Sequence, residues 1–76
     1  MNKKQALQWC VYNLQEWPEI KSIDTLGNIC WVTKPKGTPE GWYWDKLPIM
    51  KTPYLFSKNL RGVIITKYDY YDLKRR

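Results

Sequence analysis

The spacing of apolar residues near the start of the chain predicts an amphipathic α-helix. The apolar side chains follow the i, i+3, i+4, i+7 pattern of one buried helical stripe: Leu7, Cys10, Val11 and Leu14. Asn2 is a favourable N-cap residue, and Gln5 three positions later completes a capping box. Because Pro18 disfavours a helical conformation at Trp17, we expect this helix to end near Glu16.

The next apolar runs predict short β-strands. Residues 20–23 and Ile29–Thr33 flank a turn that contains Gly27 and Asn28, two residues that tolerate positive φ, so the two runs are expected to form a hairpin. Residues 34–41 contain two Pro and two Gly and are expected to be a loop. Residues 42–44 are expected to form a third strand. Alternation then places Trp42 and Trp44 on one face, either in the core or as an exposed contact site, and Tyr43 on the other.

The segment that follows is harder to assign because two prolines interrupt it. Pro48 and Pro53 restrict any strand to a short piece, and we expect residues 54–56 to form one at the edge of a sheet. Residues 63–65 make up the most strand-like triplet in the chain, with Val63 followed by two isoleucines.

Two interpretations compete for the C-terminal segment. Thr66 and Asp69 have the spacing of a capping box, which predicts a helix over residues 67–74. Acidic residues near its start and basic residues at its end suit the helix dipole: Asp69, Asp72, Lys74, Arg75 and Arg76. Alternatively, a strand continues through residue 70, because Ile64, Thr66, Tyr68 and Tyr70 alternate. We favour the helix.

These elements predict a single small α+β domain over residues 1–76. It combines an N-terminal amphipathic helix, an antiparallel sheet of three or four short strands, and a short C-terminal helix. A domain of this size buries only about 60% of its unfolded surface, so its core is thin. Five Trp, six Tyr and one Phe supply the bulk that such a core needs.

The residue types argue against an enzyme and against a metal or cofactor. The chain contains no histidine, no phosphate-binding glycine loop, and only two cysteines, which are twenty residues apart. No apolar run is long enough for a membrane span or a signal peptide, so we expect a cytoplasmic protein without membrane contact. In that compartment Cys10 and Cys30 are expected as free thiols in the core, with a disulfide as the alternative.

The charge is distributed unevenly along the chain. Residues 1–45 contain five basic and five acidic residues, whereas residues 46–76 contain eight basic and two acidic ones. This asymmetry predicts contact with an anionic partner, either a nucleic acid or an acidic protein. The candidate cations are Lys58, Arg61, Lys67, Lys74, Arg75 and Arg76. The candidate aromatic contacts, which could stack on unpaired bases, are Trp42, Tyr43 and Tyr70. The alternative is a solvated basic surface whose aromatic residues belong to the core.

Three short motifs together give the chain a resemblance to small accessory proteins of tailed phages and prophages. They are Trp17-Pro18 after the first helix, Trp42-x-Trp44, and Ile65-Thr66-x-x-Asp69-Tyr70. The resemblance implies a protein that binds a host or phage macromolecule, and it transfers no catalytic or binding residues.

Two functions are therefore expected. The first is a non-enzymatic accessory or regulatory module that contacts nucleic acid through its basic C-terminal third. The alternative is an inhibitor or adaptor that binds an acidic host protein through the same cationic end and exposed aromatic residues. A homodimer is compatible with either function, because a thin core can extend across an interface.

Overall fold

The computed structural model describes residues 1–47 and 52–76 and confirms the α+β class. The elements, in chain order, are α1 (Lys3–Asn13), β1 (Glu19–Ile23), β2 (Ile29–Thr33), β3 (Trp42–Asp45), β4 (Tyr54–Ser57), β5 (Ile64–Ile65) and α2 (Lys67–Lys74). The described strands form two antiparallel sheets, β1–β2 and β3–β4–β5, rather than one sheet of three or four strands.

Helix α1 begins as predicted and ends earlier than expected. The Asn2 side chain accepts a hydrogen bond from the Gln5 amide at 2.8 Å, and the Gln5 side chain accepts one from the Asn2 amide at 3.0 Å. The helix ends at Asn13, before Glu16, because Leu14 already has extended backbone angles. The Tyr70 hydroxyl, on α2, donates to the Leu14 carbonyl oxygen at 2.6 Å. A contact distant in the sequence therefore pairs a carbonyl at the end of the helix.

Helix α2 confirms the helical interpretation of residues 67–74. The Thr66 hydroxyl accepts a hydrogen bond from the Asp69 amide at 3.3 Å, and the Asp69 carboxylate accepts one from the Thr66 amide at 3.0 Å. This reciprocal capping box pairs the backbone amides at the helix start. It ends β5 after two residues, so the alternation through Tyr70 does not produce a longer strand.

The main core lies between the two helices and the inner face of the three-stranded sheet. Trp17 packs at its centre, with ring centroids 5.0 Å from Trp44 and 5.6 Å from Tyr70. The indole N–H of Trp17 donates to the buried Pro53 carbonyl oxygen at 2.9 Å. The described core cluster contains Ala6, Cys10, Leu14, Trp17, Trp42, Leu55, Ile65 and Tyr70.

Strand β4 is central in its sheet, which corrects the expectation of an edge strand. Leu55 pairs with Trp44 on one side and with Ile65 on the other. Pro53 directly precedes the strand, so it removes no hydrogen bond from the ladder. Pro48, the other proline of that argument, lies outside the described residues.

The two cysteines are both free thiols, but only one of them is in the core. Cys10 is fully buried on the apolar stripe of α1. Cys30 is exposed, which corrects the expectation that both thiols are buried. The reason is strand alternation, because Cys30 and Val32 both lie on the outward face of β2.

Burial makes the two thiols differ in reactivity. Desolvation raises the pKa of Cys10 to about 12, so this thiol stays protonated at neutral pH and cannot act as a thiolate nucleophile. We expect a thiol-specific chromogenic disulfide reagent to modify one cysteine in the native protein and two in guanidinium chloride. The Cys30→Ser variant should be unreactive until it is unfolded. Rapid native reaction of that variant would contradict the burial of Cys10.

Candidate nucleic-acid interface

The outer face of the three-stranded sheet carries a pair of aromatic side chains. Trp42 and Trp44 point into the core, so Tyr43 between them points outward. The strand register places Tyr43 directly opposite Phe56. Their rings stack with centroids 5.5 Å apart and an interplanar angle of 19°. Because 41% of Tyr43 is exposed, this pair can contact a ligand.

The loop that joins β4 to β5 holds two cations beside this pair. The Ser57 hydroxyl accepts hydrogen bonds from the Asn59 and Leu60 amides at 3.3 and 3.0 Å, which closes a tight turn. Gly62 has a φ of 77°, a conformation that residues with a side chain rarely adopt. The Lys58 amide donates to the Gly41 carbonyl oxygen at 2.9 Å, which fixes the loop to the start of β3.

The aromatic pair and this loop line a surface pocket of about 410 Å³, which we call the β4–β5 pocket. Its described lining is Tyr43, Phe56, Ser57, Lys58, Asn59, Arg61, Gly62 and Val63. Among these residues there are two cations and no acid, and the side chains of both cations are exposed. The pocket therefore combines positive charge with an aromatic surface, two features that bind phosphates and unpaired bases.

Lys67 lies in a different and less positive pocket. It belongs to the first turn of α2 and lines a pocket of about 270 Å³ together with Glu16, Glu19 and Tyr71. The two glutamates oppose its charge there. The structure therefore separates Lys67 from Lys58 and Arg61.

The cations at the end of α2 also lie away from the β4–β5 pocket. The Lys74 ammonium donates to the Gln15 carbonyl oxygen and, at 3.0 Å, to the Tyr70 hydroxyl. Gln15 follows α1, whereas Lys58 contacts Gly41, which adjoins the N-terminal residues that precede α1. A helix of 11 residues spans about 16 Å, so α1 separates the two groups.

The last two arginines are at the surface. Arg76 forms an exposed ion pair with Asp72 at 3.1 Å, four residues earlier. Arg75 is the exposed C-cap residue of α2. An exposed ion pair of this kind contributes little to stability, so it leaves the Arg76 guanidinium accessible to solvent or an anion. The exposed Arg75 guanidinium is accessible as well.

Two of the three candidate aromatic contacts belong to the core, which corrects their assignment. Trp42 is 2% exposed and donates its indole N–H to the Met1 carbonyl oxygen at 2.9 Å. Tyr70 is fully buried, and its hydroxyl is held between Leu14 and Lys74. Neither ring can stack on a base. Only Tyr43 keeps an exposed face.

Phe56 is the aromatic residue of this pocket that was not among the candidate contacts predicted from the sequence. It stands out in the sequence only as an aromatic residue among cations. Its partnership with Tyr43 depends on the register of β3 and β4, which lie on either side of an eight-residue connection. No local pattern specifies that register.

Comparisons with protein-family models, curated proteins and solved structures found no match for this chain. Within the described residues, no group of three or more histidine, cysteine or acidic side chains is arranged to hold a metal ion. Neither described helix has the length and apolar character required to cross a bilayer.

Proposed function

We propose that this protein is a small non-enzymatic module that binds single-stranded nucleic acid at the β4–β5 pocket. The observation that carries the proposal is the stacked Tyr43–Phe56 pair beside the Lys58 and Arg61 side chains. Aromatic rings on a sheet surface stack on unpaired bases, and neighbouring cations hold the phosphates between them.

The geometry supports single strands over duplexes. Tyr43 and Phe56 offer ring surface on a sheet, the kind of platform on which unpaired bases stack. The bases of a duplex are stacked on one another and cannot reach these rings. A duplex would then contact only Lys58 and Arg61, and it would bind less tightly.

The proposal is tested by measuring affinity across a salt series. Fluorescence anisotropy of labelled oligo-dT, oligo-U and a duplex of equal length would report the dissociation constants. We expect tighter binding of the single strands. Replacing Lys58→Ala together with Arg61→Ala removes two phosphate contacts, so the slope of log affinity against log salt should fall by about 1.4.

The matched control is the pair Arg75→Ala with Arg76→Ala, which removes the same charge from the end of α2. This control pair is expected to change the slope by less than the Lys58 and Arg61 pair does. A larger effect of the control pair would place the binding surface at the chain end and contradict the pocket proposal. Absence of oligonucleotide binding at low salt would contradict nucleic-acid binding altogether.

The alternative partner, an acidic protein, would use the same cations. A labelled polyglutamate peptide of matched charge serves as its probe in the same titration. Tighter binding of polyglutamate than of oligo-dT would favour protein recognition. The likeness to phage accessory proteins remains a prediction, which the neighbouring genes would test.

A further inference from the structure

The β1–β2 hairpin stands apart from the main core. Among the residues of its two strands, only Ile20 is buried. Neither Ile20 nor Trp31 belongs to the described core cluster. A two-stranded hairpin is at best marginally stable on its own in water, and additional strands are what normally stabilise it.

The two edges of this hairpin differ in character. β1 carries Glu19 and Lys21 within the strand, whereas β2 contains no charged residue, Pro or Gly. Charges and prolines are the usual protection against pairing at a strand edge. Within the described chain, β2 pairs only with β1, so its other edge is open. We propose that β2 pairs in antiparallel fashion with β2 of a second copy of this chain.

Complementary charges favour a second copy of this chain as the partner, and they favour one register of the two β2 strands. When the antiparallel pair is centred on Trp31, Lys34 lies opposite Asn28 of the second copy. Asn28 in turn is bonded to Asp24, whose carboxylate accepts from its amide at 2.8 Å and from its side-chain amide at 3.3 Å. Residues that face one another across antiparallel strands share a face, so Lys34, Asn28 and Asp24 form one row.

The two copies are related by twofold symmetry. Lys34 of each copy therefore lies in one row with Asn28 and Asp24 of the other, at both ends of the paired strands. Hydrogen bonding, chiefly from the Asn28 backbone, lowers the pKa of Asp24, so its carboxylate is charged at neutral pH. The same register also joins the partly exposed apolar side chains of both hairpins into one surface. Those side chains are Ile23, Ile29 and Trp31. An unrelated peptide strand would not provide this self-complementary row.

Disulfide trapping tests the register directly. In this register Cys30 lies opposite Val32 of the second copy, at the Cα separation of about 4.5–5.5 Å that a disulfide accepts. We expect Val32→Cys to form a covalent dimer under mild oxidation. The double variant Val32→Cys with Cys30→Ser should not, because its cysteines lie diagonally across the pair. Equal trapping of both variants, or of neither, would overturn the proposal.

Sedimentation equilibrium provides an independent test that needs no cysteine. The Lys34→Asp substitution replaces an attraction by a repulsion at both ends, and we expect it to raise the dimer dissociation constant about tenfold. The control Lys21→Asp makes the same charge change on β1 and should have a smaller effect. Circular dichroism confirms that each variant is folded. A wild-type protein that stays monomeric at 200 μM, a concentration on the order of weak dimer affinities, would overturn the proposal.

Discussion

Replacing Trp17 by alanine is expected to lower the free energy of unfolding by about 3–5 kcal/mol. Trp17 is 5% exposed and contacts Trp44 and Tyr70 at the centre of the core. Its indole N–H also pairs with the buried Pro53 carbonyl oxygen. The substitution therefore creates a cavity and leaves a buried acceptor without its partner. A domain of this length has a total stability of roughly 4–11 kcal/mol, so the loss is a large part of it.

Urea denaturation followed by far-ultraviolet circular dichroism measures this effect. Trp17→Phe keeps much of the ring volume while removing the hydrogen bond, so it should fall between the wild type and Trp17→Ala. Tyr68→Ala is the control, because Tyr68 is 76% exposed and its loss should change stability by less than about 0.5 kcal/mol. If Trp17→Ala costs no more than Tyr68→Ala does, Trp17 is not the centre of the core.

Replacing Tyr43 by alanine is expected to weaken single-strand binding by about 5- to 150-fold. This range corresponds to the roughly 1–3 kcal/mol that stacking one base on an aromatic ring contributes. The substitution removes no charge, so the salt dependence should stay unchanged. The two kinds of contact can therefore be told apart. Loss of stacking lowers the affinity, whereas loss of the Lys58 and Arg61 phosphate contacts lowers the slope of log affinity against log salt.

Tyr43→Phe is the matched variant and should bind nearly as well as the wild type, since it keeps the ring. Tyr68→Ala removes an aromatic ring that lies beside Lys67, outside the β4–β5 pocket, and should leave the affinity unchanged. Anisotropy titrations at two salt concentrations distinguish these cases. Equal losses for Tyr43→Ala and Tyr43→Phe would contradict a stacking role.

The helix starts were predictable because their causes are local. Asn2 with Gln5, and Thr66 with Asp69, form their hydrogen bonds across three residues of sequence. Such bonds depend on side-chain chemistry and chain geometry alone. For the same reason the start of α2 agrees with the prediction, whereas the end of α1, which adjoins distant side chains, does not.

For the candidate site, the sequence predicted the types of residue and the region of the chain, but not which residues lie together. Charge along the chain pointed to residues 46–76, and strand alternation separated Tyr43 from its tryptophan neighbours. The choice among six cations required the folded chain. It groups Lys58 with Arg61 in one pocket and ties Lys74 to the segment after α1.

Local sequence patterns predict the α+β class, the two capping boxes, the hairpin of β1 and β2, and the placement of Tyr43 on the strand face opposite Trp42 and Trp44. Each follows from side chains within a few residues of one another. The packing of distant segments makes β4 central, buries Trp42 and Tyr70, turns Tyr43 outward and brings Phe56 beside it. These features depend on strand register and on contacts such as that between Leu14 and Tyr70, 56 residues apart. These features are stabilised by the packing of the core. A short segment of sequence does not specify that packing.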